Sequence, residues 1–148
     1  MRTWSTHKTV PASPDAVLQL LTEPEEIARW APVPFELVEL DGGHLATGSR
    51  ALVRGRLAGR TVDFEVDVLE AGDERLSLVA DGPMLISVDY VLRPASDGSD
   101  LRATVSVRGK GFVGRLLATA TEALLGAGAL QSSIERLARG LEPPAIAA

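Results

Sequence analysis

One stretch limits what this chain can become. Residues 111–142, GFVGRLLATATEALLGAGALQSSIERLARGLE, hold the only long helical pattern in the sequence. Val113, Leu116, Leu117, Ala120, Ala123, Leu124, Ala127, Leu130, Ile134, Leu137, Ala138 and Leu141 recur at three- and four-residue spacing. Gln131 alone interrupts that stripe. Arg115, Glu122, Ser133, Arg136 and Arg139 occupy the opposite side, with Leu125 as an apolar exception that hints at a partner surface. The pattern predicts an amphipathic helix with one buried face. At ~1.5 Å per residue it would reach ~45 Å, more than a small domain needs for a covering helix. Its buried face is bulky at both ends and thin at Ala120, Ala123 and Ala127. A helix with such a waist either approaches a sheet closely there or leaves a hollow beneath it.

The rest of the chain supplies the sheet. Residues 3–10 read as an edge strand ended by Pro11. Ser13 before Pro14 marks a helix start, giving a short helix over 15–22 with Val17, Leu20 and Leu21 facing in. A second short helix runs from Glu23 to near Trp30, where Pro32 and Pro34 stop it. The period then becomes two. Strands follow at 35–40, 49–57, 60–69, 75–81, 85–93 and 101–109. With Ala58-Gly59 as the turn, Arg54 falls opposite Asp63 and Arg50 opposite Asp67 on one face. Val53 then meets Phe64, and Ala51 meets Val66, on the other. That sorting identifies the apolar face as the inner one. Either Trp4 or His7 points inward from the first strand.

The predicted architecture is α+β, in the order β-α-α-β6-α: a seven-stranded antiparallel curved sheet, two short helices and one long C-terminal helix. The expected organisation is a single domain over 1–148, with a flexible tail at 143–148. Net charge is −5, which argues against nucleic acid as a partner and offers no polybasic patch for an anionic membrane. No cysteine is present, so disulfide and thiolate chemistry are excluded. No apolar run has the length of a membrane span or the form of a signal peptide, so a cytoplasmic location is expected.

Several segments together resemble the START-like superfamily, also called SRPBCC or Bet v 1-like. They are VPASPDAV at 10–17, LTEPE at 21–25 leading to Arg29-Trp30, Gly111 with GRLL at 114–117, and SIERL at 133–137. The likeness covers nearly the whole chain. Within the superfamily the chain is similar to bacterial polyketide cyclase/dehydrase-like and lipid-transport-like members. The resemblance implies a helix-grip fold with an apolar ligand held between sheet and helix, and in some members cyclisation or dehydration of polyketides there. Trp30 matches the family's tryptophan after the second short helix and would pack on the sheet edge. The motifs matched are structural rather than catalytic.

The residues offer little chemistry. His44 beside a Gly-Gly turn reads as solvated, and His7 on the edge strand as surface or half-buried. With no cysteine they form no metal-ligand spacing, so neither metal nor cofactor is expected. Asp63, Glu65 and Asp67 read as a solvated ladder rather than as acid–base catalysts. Tyr90 and Gln131 are the polar residues on inward-facing positions, and they could meet in one cavity as ligand handles. Gly109 and Gly111 would permit a helix shift with Phe112 as a gate. The expected ligand-binding wall comprises Val53, Phe64, Val66, Leu78, Val88, Tyr90, Val105, Leu117, Ala120, Ala123, Leu124, Ala127 and Gln131. No catalytic residue is identified. Three functions fit: binding of a small apolar molecule such as a lipid or polyketide-like compound, a polyketide aromatase/cyclase or dehydrase, or a protein-interaction domain with a filled cavity. A weak homo-oligomer is also expected.

Overall fold

Alternation of apolar and polar residues drives seven strands of the chain into one sheet. The computed structural model describes residues 2–23, 26, 35–40, 42, 45–57 and 59–141. Strand β1 (Arg2–Val10) precedes helix α1 (Pro14–Thr22). Then come β2 (Phe35–Leu40), β3 (Arg50–Leu57), β4 (Arg60–Gly72), β5 (Arg75–Asp81), β6 (Met84–Ala95) and β7 (Gly98–Gly109). Helices α2 (Gly111–Gly126) and α3 (Ala129–Leu141) close the chain. The sheet order is β1-β7-β6-β5-β4-β3-β2, antiparallel throughout, so β1 returns to pair with β7. The expected α+β helix-grip layering is present. The second short helix, apart from Glu23 and Glu26, lies outside the described residues, as do Trp30 and His44.

The β3–β4 register is the expected one. Arg50 faces Asp67, Ala51 faces Val66, Val53 faces Phe64 and Arg54 faces Asp63. On the outer face the Arg54 guanidinium binds Asp63 at 2.8 Å and holds its carboxyl below the usual carboxylate range. Strand β1 turns Trp4 inward, opposite Val105, and His7 outward beside Asp100 at 3.7 Å. Helix α1 starts as its sequence implies: the Ser13 hydroxyl accepts from the Ala16 amide, and Pro14 needs no donor in the first turn. Its buried Val17 and Leu21 pack toward β4, β5, β6 and β7.

The C-terminal helical segment differs from the expected single rod. It breaks at Ala127-Gly128, where Gly128 takes a φ of +96°, and its halves meet at 58°. Glycine carries that left-handed conformation without a Cβ clash. The break lets α2 lie on β7 and β6 while α3 follows β1.

Helix α2 is also rotated from the face its leucines imply. Gly114, Leu117, Ala118, Thr121 and Leu125 are buried, while Val113, Leu116 and Leu124 are 47%, 58% and 41% exposed. Leu125, read from sequence as lying on the polar side, therefore packs inside. The reason is a close approach. A Cβ at position 114 would sit 2.0 Å from the Pro83 carbonyl oxygen, so Gly114 alone fits against the β5–β6 turn. The Lys110 amide donates to that same carbonyl at 3.1 Å, and the Lys110 ammonium pairs with Asp81. Thr121 tolerates burial because its hydroxyl donates back to the Leu117 carbonyl at 3.0 Å.

Candidate functional site

The candidate site is the inner face of the sheet, which the register arranges in rows. One row runs Val68, Leu78, Val88, Val105 and Trp4 across β4 to β1. The next runs Ala71, Leu76, Tyr90, Ala103 and Thr6. A third carries Ala51, Val66, Ala80, Ile86 and Val107. Val53 beside Phe64 extends this face toward β2. All the large members of these rows are apolar except Tyr90.

Coverage of the rows is uneven. Val68, Leu76, Tyr90, Val105 and Val107 are sealed, whereas Trp4, Val53, Leu78, Ile86 and Val88 are only partly buried. Helix contacts explain the difference. The principal contacts of α2 are with β7, β6 and β1 and, across the curl of the sheet, with β3. The helix thus bridges the two limbs of the sheet. The middle of the inner face, where Leu78 pairs with Val88, keeps some exposure.

The expected wall residues divide along the same line. Phe64, Val66, Tyr90, Val105 and Leu117 are buried, and Val53, Leu78 and Val88 are half-buried on the inner face. Ala120 is half-buried, while Ala123, Leu124, Ala127 and Gln131 are exposed. The helix rotation carries the three that belong to α2 or its cap outward. Gln131 instead ties α3 to β1: its side-chain oxygen accepts from the Thr6 hydroxyl, and its amide donates to Glu135 at 3.5 Å.

Gln131 meets this row at Thr6, which stands two strands from Tyr90, at a strand separation of ~10 Å. Tyr90 is 1% exposed, and burial pushes its hydroxyl above the ordinary tyrosine range. Like an ordinary tyrosine it is a neutral phenol at physiological pH, and burial extends that state to higher pH. Phe112, read from sequence as a gate, is 79% exposed.

A feature not anticipated from sequence lies beside α1. Asp15, Leu18, Gln19, Thr22, Leu45, Ala46 and Ala71 surround an open recess of about 250 Å³. Ala71 begins the row that leads through Leu76 to Tyr90. The Leu45 amide donates to the Thr22 carbonyl at 3.0 Å, which draws this loop against the end of α1. No sequence pattern marked the loop, because its position depends on a backbone contact made across the fold. Among the described residues no group of three His, Cys, Asp or Glu side chains could hold a metal ion.

Residues 1–142 match the model of the polyketide cyclase/dehydrase and lipid transport family. Protein CV1439 from Chromobacterium violaceum has a similar fold, with a TM-score of 0.71 at 21% identity over 95% of this chain and 97% of that one. Protein NE0264 from Nitrosomonas europaea gives 0.66 at 19% identity, over 93% and 92% of the two chains. DynU16, a protein of the dynemicin biosynthetic locus, gives 0.56 at 21% identity, over 94% of this chain and 46% of that one. No curated protein shows a significant sequence match.

Proposed function

We propose a function from one premise: the chain belongs to the polyketide cyclase/dehydrase and lipid transport family. In this reading it binds a small apolar molecule, a lipid or a polyketide-like compound, against the inner face of its sheet. The observation that carries the reading is the half-open apolar strip of Val53, Leu78, Ile86 and Val88 beneath a helix that bridges rather than seals. Val53, Phe64, Val66, Leu78, Val88, Tyr90, Val105 and Leu117 form the proposed wall. Such a wall favours molecules that are apolar or aromatic over most of their surface, with one or two hydrogen-bonding ends. Tyr90 is the proposed handle for one of those ends.

The test is a thermal-shift titration backed by mass spectrometry of the solvent extract of the purified protein. Long-chain fatty acids or aromatic polyketides should raise the melting temperature, and nucleotides should not. Leu78→Trp places an indole over the open strip and should abolish the shift while the variant stays folded. Saturable nucleotide binding with no response to any apolar compound overturns the reading. Conversion of a linear poly-β-ketone into a cyclised product would instead make the protein the cyclase of the same site.

A further inference from the structure

The outer face of α2 carries a second pattern that ligand binding leaves unused. Val113, Leu116, Ala120, Ala123 and Ala127 alternate at three- and four-residue spacing, the a/d order of a helix–helix seam. In the structure Val113, Leu116, Ala123 and Ala127 of this seam are exposed and Ala120 is half-buried, with Phe112 and Leu124 beside it. It cannot be hidden by a small roll of the helix, because Gly114 is locked against the Pro83 carbonyl. We propose that this face is a two-fold interface in which two copies of the chain pack their α2 helices antiparallel.

The seam is its own complement in that arrangement. Large residues occupy its first half and small ones its second. An antiparallel pair sets Leu116 of one copy over Ala120 of the other and Val113 over Ala123. A parallel pair would crowd the large ends together and leave a gap at the alanines. Arg115 and Glu122 are the only charged residues between positions 112 and 130, and both lie off the seam. Glu122 pairs with Arg2 of β1 at 3.7 Å, so the seam itself carries no charge that would oppose the approach of a second copy. A lipid surface is the poorer occupant, since one arginine and one glutamate flank the seam and the chain carries −5 overall. A single helix face of this length buries on the order of 400 Å² per copy. That is about half the ~800 Å² per partner of a standard interface, so the dimer is of the weak, concentration-dependent class.

Sedimentation of the full chain from about 1 μM to about 1 mM tests this, a range that brackets weak association constants. The apparent mass should rise from the 15.6 kDa of one chain toward twice that value. Leu116→Glu and Ala123→Glu, both at exposed positions, should each raise the dissociation constant tenfold or more. Leu69→Glu, at an exposed position on β4, should leave it unchanged. The chain has no cysteine of its own. Copies carrying Leu116→Cys, mixed with copies carrying Ala120→Cys, should therefore cross-link to each other faster than either does to itself. A monomer at every concentration overturns the proposal. So does a dimer indifferent to both glutamates, and so does a monomer that phosphatidylcholine or phosphatidylserine vesicles capture through Leu116.

Discussion

Tyr90 is the large polar side chain of the inner-face rows, and it is buried. Its proton is held above the ordinary value of 10.0 by burial, because the anion would lose its water. The unfolded chain releases that proton first as pH rises. Tyr90 therefore contributes its full stabilising share below pH ~10. Above that the share is lost at up to ~1.4 kcal/mol per pH unit, until the folded-state group also titrates. Wild-type protein should lose stability between about pH 10 and 11 more steeply than Tyr90→Phe, as read from denaturant midpoints. Parallel curves would mean that the hydroxyl titrates alike in both states. If the hydroxyl also holds a polar-ended ligand, Tyr90→Phe should weaken that ligand by ~1–3 kcal/mol with the fold intact, measured by calorimetry.

At the scale of elements, α2 teaches the most. Strand registers were legible because period-two alternation and cross-strand charge pairs leave one consistent solution, as Arg54 with Asp63 and Val53 with Phe64 demonstrate. The inner-face rows follow from those registers, so the sheet half of the candidate site could be read from residues alone. The helix half could not. Helix α2 is apolar on two sides, and spacing cannot choose between them. The choice falls to Gly114 and the Pro83 carbonyl, a contact between residues that no local pattern links. The break at Gly128 was hidden for a similar reason, since it depends on where β1 and β7 lie. Two substitutions check this account by chemical denaturation. Gly114→Ala should cost ~1–3 kcal/mol, since a methyl cannot fit against the turn without moving the helix. Gly126→Ala, where an added Cβ meets nothing within 4 Å, should gain ~0.5–1 kcal/mol from helix propensity.

Across the whole molecule, helix and sheet divide the work. The sheet supplies an apolar wall, and α2 reaches from β1, β7 and β6 to β3 without sealing what lies between. Enlarging a residue of the open strip should therefore be cheap, while enlarging one of the sealed rows should not. Val88→Phe should leave stability within ~1 kcal/mol of wild type and reduce ligand binding. Ala103→Phe, at a position with no exposure, should overpack the core by ~1–3 kcal/mol or more. Equal losses of stability in the two variants would show that the strip is packed as tightly as the rest.

The pairing of β1 with β7 also sets a schedule for synthesis. Arg2 to Val10 wait for Val107 to Ser99, so the first strand made is completed by the last. At ~5–20 residues per second, a ribosome needs roughly 5–20 s to deliver the partner. Throughout that interval β7 is missing, β6 has nothing to pair with on that side, and Trp4 has no Val105 to cover it. Contacts this distant in sequence fold slowly, in milliseconds to seconds once the chain is whole. Short-range pairings such as β3–β4 and β5–β6 need no such wait, so they are expected to form before β1 finds its partner. The many hydroxyl and basic side chains of β1, from Thr3 to Thr9, suit it to that wait.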